Sequence, residues 1–128
     1  MAESIVKYLP EQDITCHASA AIVGARCVSI SGVPVEGNPT VAPSGAGAKV
    51  FGIAATDAAT GAKVAVHHSP GGVYPVEVGT GGVTAGAVVE AAATGTVVTR
   101  SAGIPVGTVT ETAAAGAQVF VHFAPHQI

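Results

Sequence analysis

The side chains best suited to chemistry in this sequence are its five histidines, eight carboxylates and two cysteines. Histidine titrates near neutral pH and ligates metals, so the adjacent pair His67 and His68 is the first place to look. In a strand, neighbouring side chains point to opposite faces, and these two cannot readily share an ion. His67 recurs as His122, each on a polar face, beside Lys63 and Gln118 respectively. A metal held between His67 and His122 would need a pseudo-symmetric or oligomeric contact, and solvent-facing or interface histidines are the simpler reading. His17 and His126 lie near the termini and carry no motif. The carboxylates Glu36, Asp57, Glu77, Glu90 and Glu111 fall in or beside Gly/Pro/Ala turns without the paired spacing of an acid–base couple. Serines are plentiful, yet no Gly-x-Ser-x-Gly elbow exists. Gly45-Ala-Gly47 and Gly79-Thr-Gly-Gly82 lack the Lys-Ser/Thr or helix that would make a phosphate cradle. The expectation is therefore no enzyme, no catalytic residue, no metal and no cofactor.

The elements that carry these histidines are duplicated. Gly52-Ile-Ala-Ala-Thr-Asp-Ala-Ala-Thr-Gly-Ala-Lys-Val-Ala-Val-His-His-Ser-Pro70 aligns without a gap on Gly107-Thr-Val-Thr-Glu-Thr-Ala-Ala-Ala-Gly-Ala-Gln-Val-Phe-Val-His-Phe-Ala-Pro125. The shared residues include Gly52/Gly107, Gly61/Gly116, Val64/Val119, Val66/Val121, His67/His122 and Pro70/Pro125, and the hydrophobic phase is kept throughout. Thr60-Gly61 reads as a turn. After it, Ala62, Val64, Val66 and His68 share one strand face, opposite Lys63, Ala65 and His67. In the second copy Ala117, Val119, Val121 and Phe123 share a face, opposite Gln118, Phe120 and His122. The Val-Val face is the core face in both, and His68, in the place of Phe123, sits partly buried at a strand end.

Composition limits the rest. Charged residues make up 10% of the chain, against about 25% in ordinary soluble domains. With no Trp and 4% aromatics, the core must be built from Val, Ile and Ala, which bury little area each. A chain of this kind gains from burying surface against copies of itself or a partner. The net charge is −3, and Lys7, Arg26, Lys49, Lys63 and Arg100 are widely spaced, which excludes a phosphate-neutralising face and argues against nucleic acid. No run approaches the ~18 apolar residues of a membrane span, and the start lacks a secretory signal pattern. Cys16 and Cys27 read as free, packed thiols, with a single disulfide as the alternative. Together these features point to synthesis in a reducing cytoplasm.

Along the chain, residues 1–13 differ from all that follow. They carry Glu3, Lys7, Glu11 and Asp13 around an apolar group of Ile5, Val6, Tyr8 and Leu9 before Pro10, and no Gly. A frayed terminus is one reading; an arm that lies on another protein is the other, with Ile5, Val6, Tyr8, Leu9 and Pro10 as its binding residues. Burying four such side chains gives about 1.5–3 kcal/mol each. Ordering ten backbones costs about 1–2 kcal/mol each. Binding would thus need main-chain hydrogen bonds, as in strand addition, or several arms at once. Ala25–Ser31 alternates as a strand. Gly32–Gly47, with Pro34, Pro39 and Pro43, reads as a long loop or an edge excursion. Ala48–Ala55 is a second apolar strand, Val73–Val78 a further one, and Gly79–Gly82 a break that could hinge two halves. Ala87–Ala91 and Thr96–Arg100 form a hairpin around Ala93-Thr-Gly95. The fold class is all-β: a small β-barrel or sandwich of eight or nine short strands, built from two similar halves (about 14–78 and 83–125) in one β domain of residues 14–128, with an extended N-terminal arm (1–13).

In these segments the chain resembles bacteriophage capsid decoration (cement) proteins. The residues that carry the resemblance are Ala25-Arg-Cys-Val-Ser-Ile, Gly47-Ala-Lys-Val-Phe-Gly-Ile-Ala-Ala and Ala59-Thr-Gly-Ala-Lys-Val-Ala-Val, followed by Gly82-Val-Thr-Ala-Gly-Ala-Val-Val-Glu, Thr94-Gly-Thr-Val-Val-Thr and Pro105-Val-Gly-Thr-Val. Gly47–Val78 is also similar to the lambda-type head decoration protein in the order of its turns and strands. The resemblance implies a β-rich, often trimeric virion protein on the outer capsid surface. Its partners would be the major capsid protein and copies of itself, and it would brace the shell against packaged DNA. In such families the N-terminal segment often clasps the major capsid protein. The competing reading, a carbohydrate- or surface-binding β module of a phage fibre or adhesin, would require a cluster of exposed aromatics, drawn from only Tyr8, Tyr74, Phe51, Phe120 and Phe123.

Overall fold

The valine alternation translates directly into strands. A computed structural model describes residues 3–4 and 11–125. In it the chain forms β1 (Ile14–Ala18), β2 (Cys27–Val35), β3 (Asn38–Pro43), β4 (Gly52–Ala54) and β5 (Lys63–His67). These are followed by β6 (Val73–Glu77), β7 (Val88–Ala91), a 3-10 turn (Ala93–Gly95), β8 (Val97–Thr99), β9 (Pro105–Val109) and β10 (Gln118–Phe123). As the alternation requires, Val64 and Val66 are buried while Lys63 is exposed, and Val119, Val121 and Phe123 are buried opposite exposed Gln118, Phe120 and His122. The fold is all-β, with a closed barrel in the order β1-β3-β2-β4-β5 and a second five-stranded sheet in the order β6-β10-β9-β7-β8. Closure removes the unpaired edges that a sheet would otherwise expose.

The second sheet repeats the first strand for strand. Ile53 pairs with His67 and Ala54 with Val66 in the barrel; Thr108 pairs with His122 and Val109 with Val121 in the second sheet. Likewise Val28 lies opposite Gly52, as Val89 lies opposite Gly107. Even the parallel seam that closes the barrel, Ala18 beside Val41, has its counterpart in a single parallel bridge between Val78 and Val97. The duplicated stretch is thus one copy of a two-strand unit inside a larger duplicated one. The pairing changes sheets between β5 and β6, upstream of the Gly79–Gly82 break, because Val73–Glu77 runs along β10.

Gly52 and Gly107 show why the duplicated glycine is needed. A Cβ on Gly52 would lie 2.4 Å from the His67 carbonyl oxygen, and one on Gly107 would lie 2.1 Å from that of His122. Neither approach leaves room for a side chain.

Two cores result. Ile14, Cys16, Ala18, Val28, Val41, Val64 and Val66 fill the barrel. The second core joins Val76, Val89, Val97, Val106, Val121 and Phe123 with Cys27, Val50 and Ile53 from the first half. Consecutive residues of β2 face different ways, so Cys27 enters the shared core and Val28 the barrel, both fully buried. Backbone bonds tie the halves: Glu77 N–H to the Ala25 carbonyl at 2.7 Å, and Gly47 N–H to the Ala91 carbonyl at 2.7 Å. Arg26 and Glu77 form an ion pair at 2.7 Å, about a quarter exposed on each side. Solvent screening makes such a pair more a fixer of geometry than a source of stability.

Gly32–Gly47 is not a long loop. It is mostly the β2–β3 hairpin, pairing Ile30 with Val41 and Val35 with Asn38, and it corresponds to the edge-excursion half of the expectation. Its two-residue turn, Glu36-Gly37, has φ of 51° and 79°, the positive values a tight primed hairpin turn needs. The prolines are accommodated because the ladder shifts register on both sides of Gly32, and the Thr40 hydroxyl donates to the Val33 carbonyl at 2.6 Å. Proline content predicts lost ladder bonds correctly; it cannot show that a side chain replaces one. The second expected strand, Ala48–Ala55, shortens to Gly52–Ala54.

The Gly52→Ala and Gly107→Ala variants should each lose about 2 kcal/mol or more of unfolding free energy, because backbone carbonyls cannot move aside; chemical denaturation reads this directly. Ala25 and Gly86 occupy matching positions, Ala25 N–H bonding the Ala54 carbonyl as Gly86 N–H bonds that of Val109, and both have positive φ, 60° and 84°. Left-handed backbone costs a non-glycine residue about 1–2 kcal/mol, partly offset by the extra unfolded-state freedom of glycine. Ala25→Gly should therefore gain up to about 1 kcal/mol and Gly86→Ala lose about as much in the same assay.

Candidate functional site

Of the residues suited to chemistry, His67, His68 and Asp13 meet at one place, the point where the N-terminal segment enters the barrel. Because Ile14 pairs with Val66 in the β1–β5 ladder, the preceding residue Asp13 is carried alongside His67. The Asp13 carboxylate meets the His67 Nδ1 at 2.8 Å. His68, pointing the other way, places its Nε2 2.5 Å from the Gln12 carbonyl oxygen. The Glu11 N–H donates to the buried Ser69 hydroxyl at 2.5 Å. Three consecutive residues at the end of β5 thus hold three consecutive residues at the root of the N-terminal segment. Glu11 takes a positive φ of 68°, so the chain turns sharply there. On the far side, the His67 ring stacks on Tyr74 with centroids 4.7 Å apart, and Tyr74 makes an edge contact with Phe123 at 6.1 Å.

His67 is therefore more engaged than its polar-face position suggests: it is half-buried between the arm root and the second half. His122, its counterpart, is exposed. Among the described residues no group of three or more His, Cys, Asp or Glu side chains is placed to hold a metal. Cys16 and Cys27 are free and buried, and burial pushes their thiols up to about 11 and about 12. At neutral pH they stay protonated, so they are packing groups rather than nucleophiles. The surface depression of about 520 Å³ formed by 81–84, 99 and 112–115 is lined by Gly, Ala, Thr and Val, with no ionisable side chain. Glu90, buried to 8% exposure, accepts the Ser101 N–H at 2.5 Å and sits against Gly103 in the seam between halves, a structural position. No helix among the described residues is long and apolar enough to cross a membrane.

The sequence reading placed the binding residues at Ile5, Val6, Tyr8, Leu9 and Pro10, which lie outside the described residues. Glu11 and Asp13 entered it only as charges of residues 1–13, and Gln12 and Ser69 had no role in it. The missed signal was the strand register: once Ile14 is set opposite Val66, Asp13 must fall beside His67.

The chain matches the family of phage cement proteins over residues 8–124. No curated protein matches it. Among solved structures it is similar to the N base of the head fiber gp8.5 in bacteriophage phi29, with a TM-score of 0.75 and 17% sequence identity, covering 91% of this chain and 97% of that one. At that identity the likeness establishes the fold. The family match spans nearly the whole sequence, and the chain belongs to the phage cement protein family, structural proteins of the virion.

Proposed function

We propose that this protein coats the outer surface of a phage head and strengthens the capsid lattice against the pressure of packaged DNA, without enzymatic activity. It binds the major capsid protein through the N-terminal arm that contains Ile5, Val6, Tyr8, Leu9 and Pro10, and acts as a homotrimer; nucleic acid and membrane are not partners. The observation that carries this reading is the arm root. His67, His68 and Ser69 hold Glu11, Gln12 and Asp13 against the barrel, so any contact made by the arm loads the folded body directly. An anchored root also leaves fewer residues to order on binding, which eases the near cancellation of burial and entropy. Several arms in one oligomer would raise avidity by about 10²–10⁴ without new contacts. Synthesis in the host cytoplasm fits the two free thiols.

The likeness to a head-fiber base supports a second reading, a surface-binding module that roots a fibre. Its carbohydrate-binding form is disfavoured: of the described aromatic rings, Phe123 is buried, Phe51 and Tyr74 are half-buried, and Phe120 stands alone in exposure, so there is no stacking platform.

Removal of residues 2–10 should reduce co-sedimentation with undecorated capsids by about 100-fold or more while leaving the unfolding transition nearly unchanged; undiminished binding would retire the arm. Light scattering of the pure protein should return three protomer masses, and electron-microscopic images of decorated capsids should show triplets of density. Isolated monomers in both would refute the trimer.

A further inference from the structure

We infer that the chain assembles head-to-tail with copies of itself, the bare outer face of its second half seating on the β2–β3 hairpin face of the next copy's first half. This rests on the self-association proposed above and gives it an interface.

The two halves already make such a contact inside one chain. On the outside of the first half, Cys27, Ile53 and His67 are cross-strand neighbours in one row. Cys27 and Ile53 are completely buried because the second half lies on them. The turn between β7 and β8 comes so close that a Cβ on Gly95 would lie 2.4 Å from the Cys27 carbonyl oxygen, and Tyr74 covers His67. By the shared register, the same row in the second half is Val88, Thr108 and His122, with Val73 opposite His122. Nothing covers it. Val88 and Val73 are 42% and 51% exposed, and Phe120, on the same face of β10, is 50% exposed.

The covering face is duplicated too. In the second half it consists of the β7–β8 turn with Ala91 and Ile104, whose backbones bond Gly47. Ala91 pairs with Val97 as Ile30 pairs with Val41, so Ile30 and the β2–β3 hairpin are their counterparts in the first half. Among the described residues that face is bare as well. Ile30 and Val33 are 53% and 79% exposed, and an open, largely apolar pocket of about 280 Å³ lies between Ile30, Lys49, Val50 and Phe51. The hairpin is longer than its counterpart, running across 31–40 between paired Ile30 and Val41, where the second half needs only 92–96. The described residues of every chain therefore leave uncovered both faces of a contact that the chain makes once internally. Exposed apolar side chains on two complementary faces call for burial. Because the faces differ, the contact is heterologous, and repeating it gives a ring or an open chain according to the rotation.

Val33→Asp and Phe120→Asp test this, since each puts a charge at an exposed position on one of the two faces. A β-sheet circular-dichroism spectrum and a single cooperative unfolding transition establish that both remain folded, at lower apparent stability once association is lost, and Val88→Asp provides an independent change on the second face. The natural protein should sediment as an oligomer and each variant as a monomer. An equimolar mixture of Val33→Asp and Phe120→Asp should recover a one-to-one dimer, because each brings one intact face. If the natural protein is oligomeric and the variants remain so, this interface is wrong while self-association stands. If the variants are monomeric but do not pair on mixing, the contact is not head-to-tail. A natural protein that stays monomeric overturns both the interface and the self-association it rests on.

Discussion

Cys27, Val50 and Ile53 belong by sequence to the first half and by packing to the core of the second, and the rest of the structure depends on that sharing. Each half has little more than fifty residues and almost no aromatic side chains, a size at which a single valine-lined core is marginal. Laying the outer row of one barrel across the second sheet turns two small cores into adjoining ones, with β2 contributing to both. The backbone bonds at Glu77 and Gly47 and the Arg26–Glu77 pair fix the orientation of that contact. Small side chains make the arrangement possible, since the strands can approach until Gly52 and Gly107 touch the carbonyls of His67 and His122.

The same economy shapes the surface. With few charges to spend on solubility and many valines, the chain cannot hide all its apolar area within itself. Among the described residues, most of what stays outside falls on the β2–β3 hairpin and on the outer face of β6, β7 and β10, with Val23 and Ile104 apart from them. The ionisable side chains also tie the fold together: His67 meets Asp13 and His68 meets the Gln12 carbonyl at the arm root, and Arg26 bridges the halves to Glu77.

Much of the fold was legible in the residues. The alternation in Lys63–His67 and Gln118–Phe123 named the buried faces, Thr60-Gly61 and Ala93-Thr-Gly95 marked turns, and the match of His67 with His122 announced the duplication. The Pro-rich stretch 32–47 misled in part, because the missing ladder donors are offset by register shifts and by the Thr40 hydroxyl. The arm root was invisible, because Asp13 and His67 are 54 residues apart and only strand register brings them together.

The paired histidines draw the line between what the sequence determines and what the fold decides. Period-two alternation is local, so the sequence by itself put His67 and His122 on the outer faces of equivalent strands, opposite valines that fill the cores. Identical residues in identical registers nevertheless ended in different surroundings. His67 lies between Asp13 and Tyr74, under the second half, while His122 faces solvent. Burial depends on which distant surface arrives to cover a strand, and only the tertiary structure decides that.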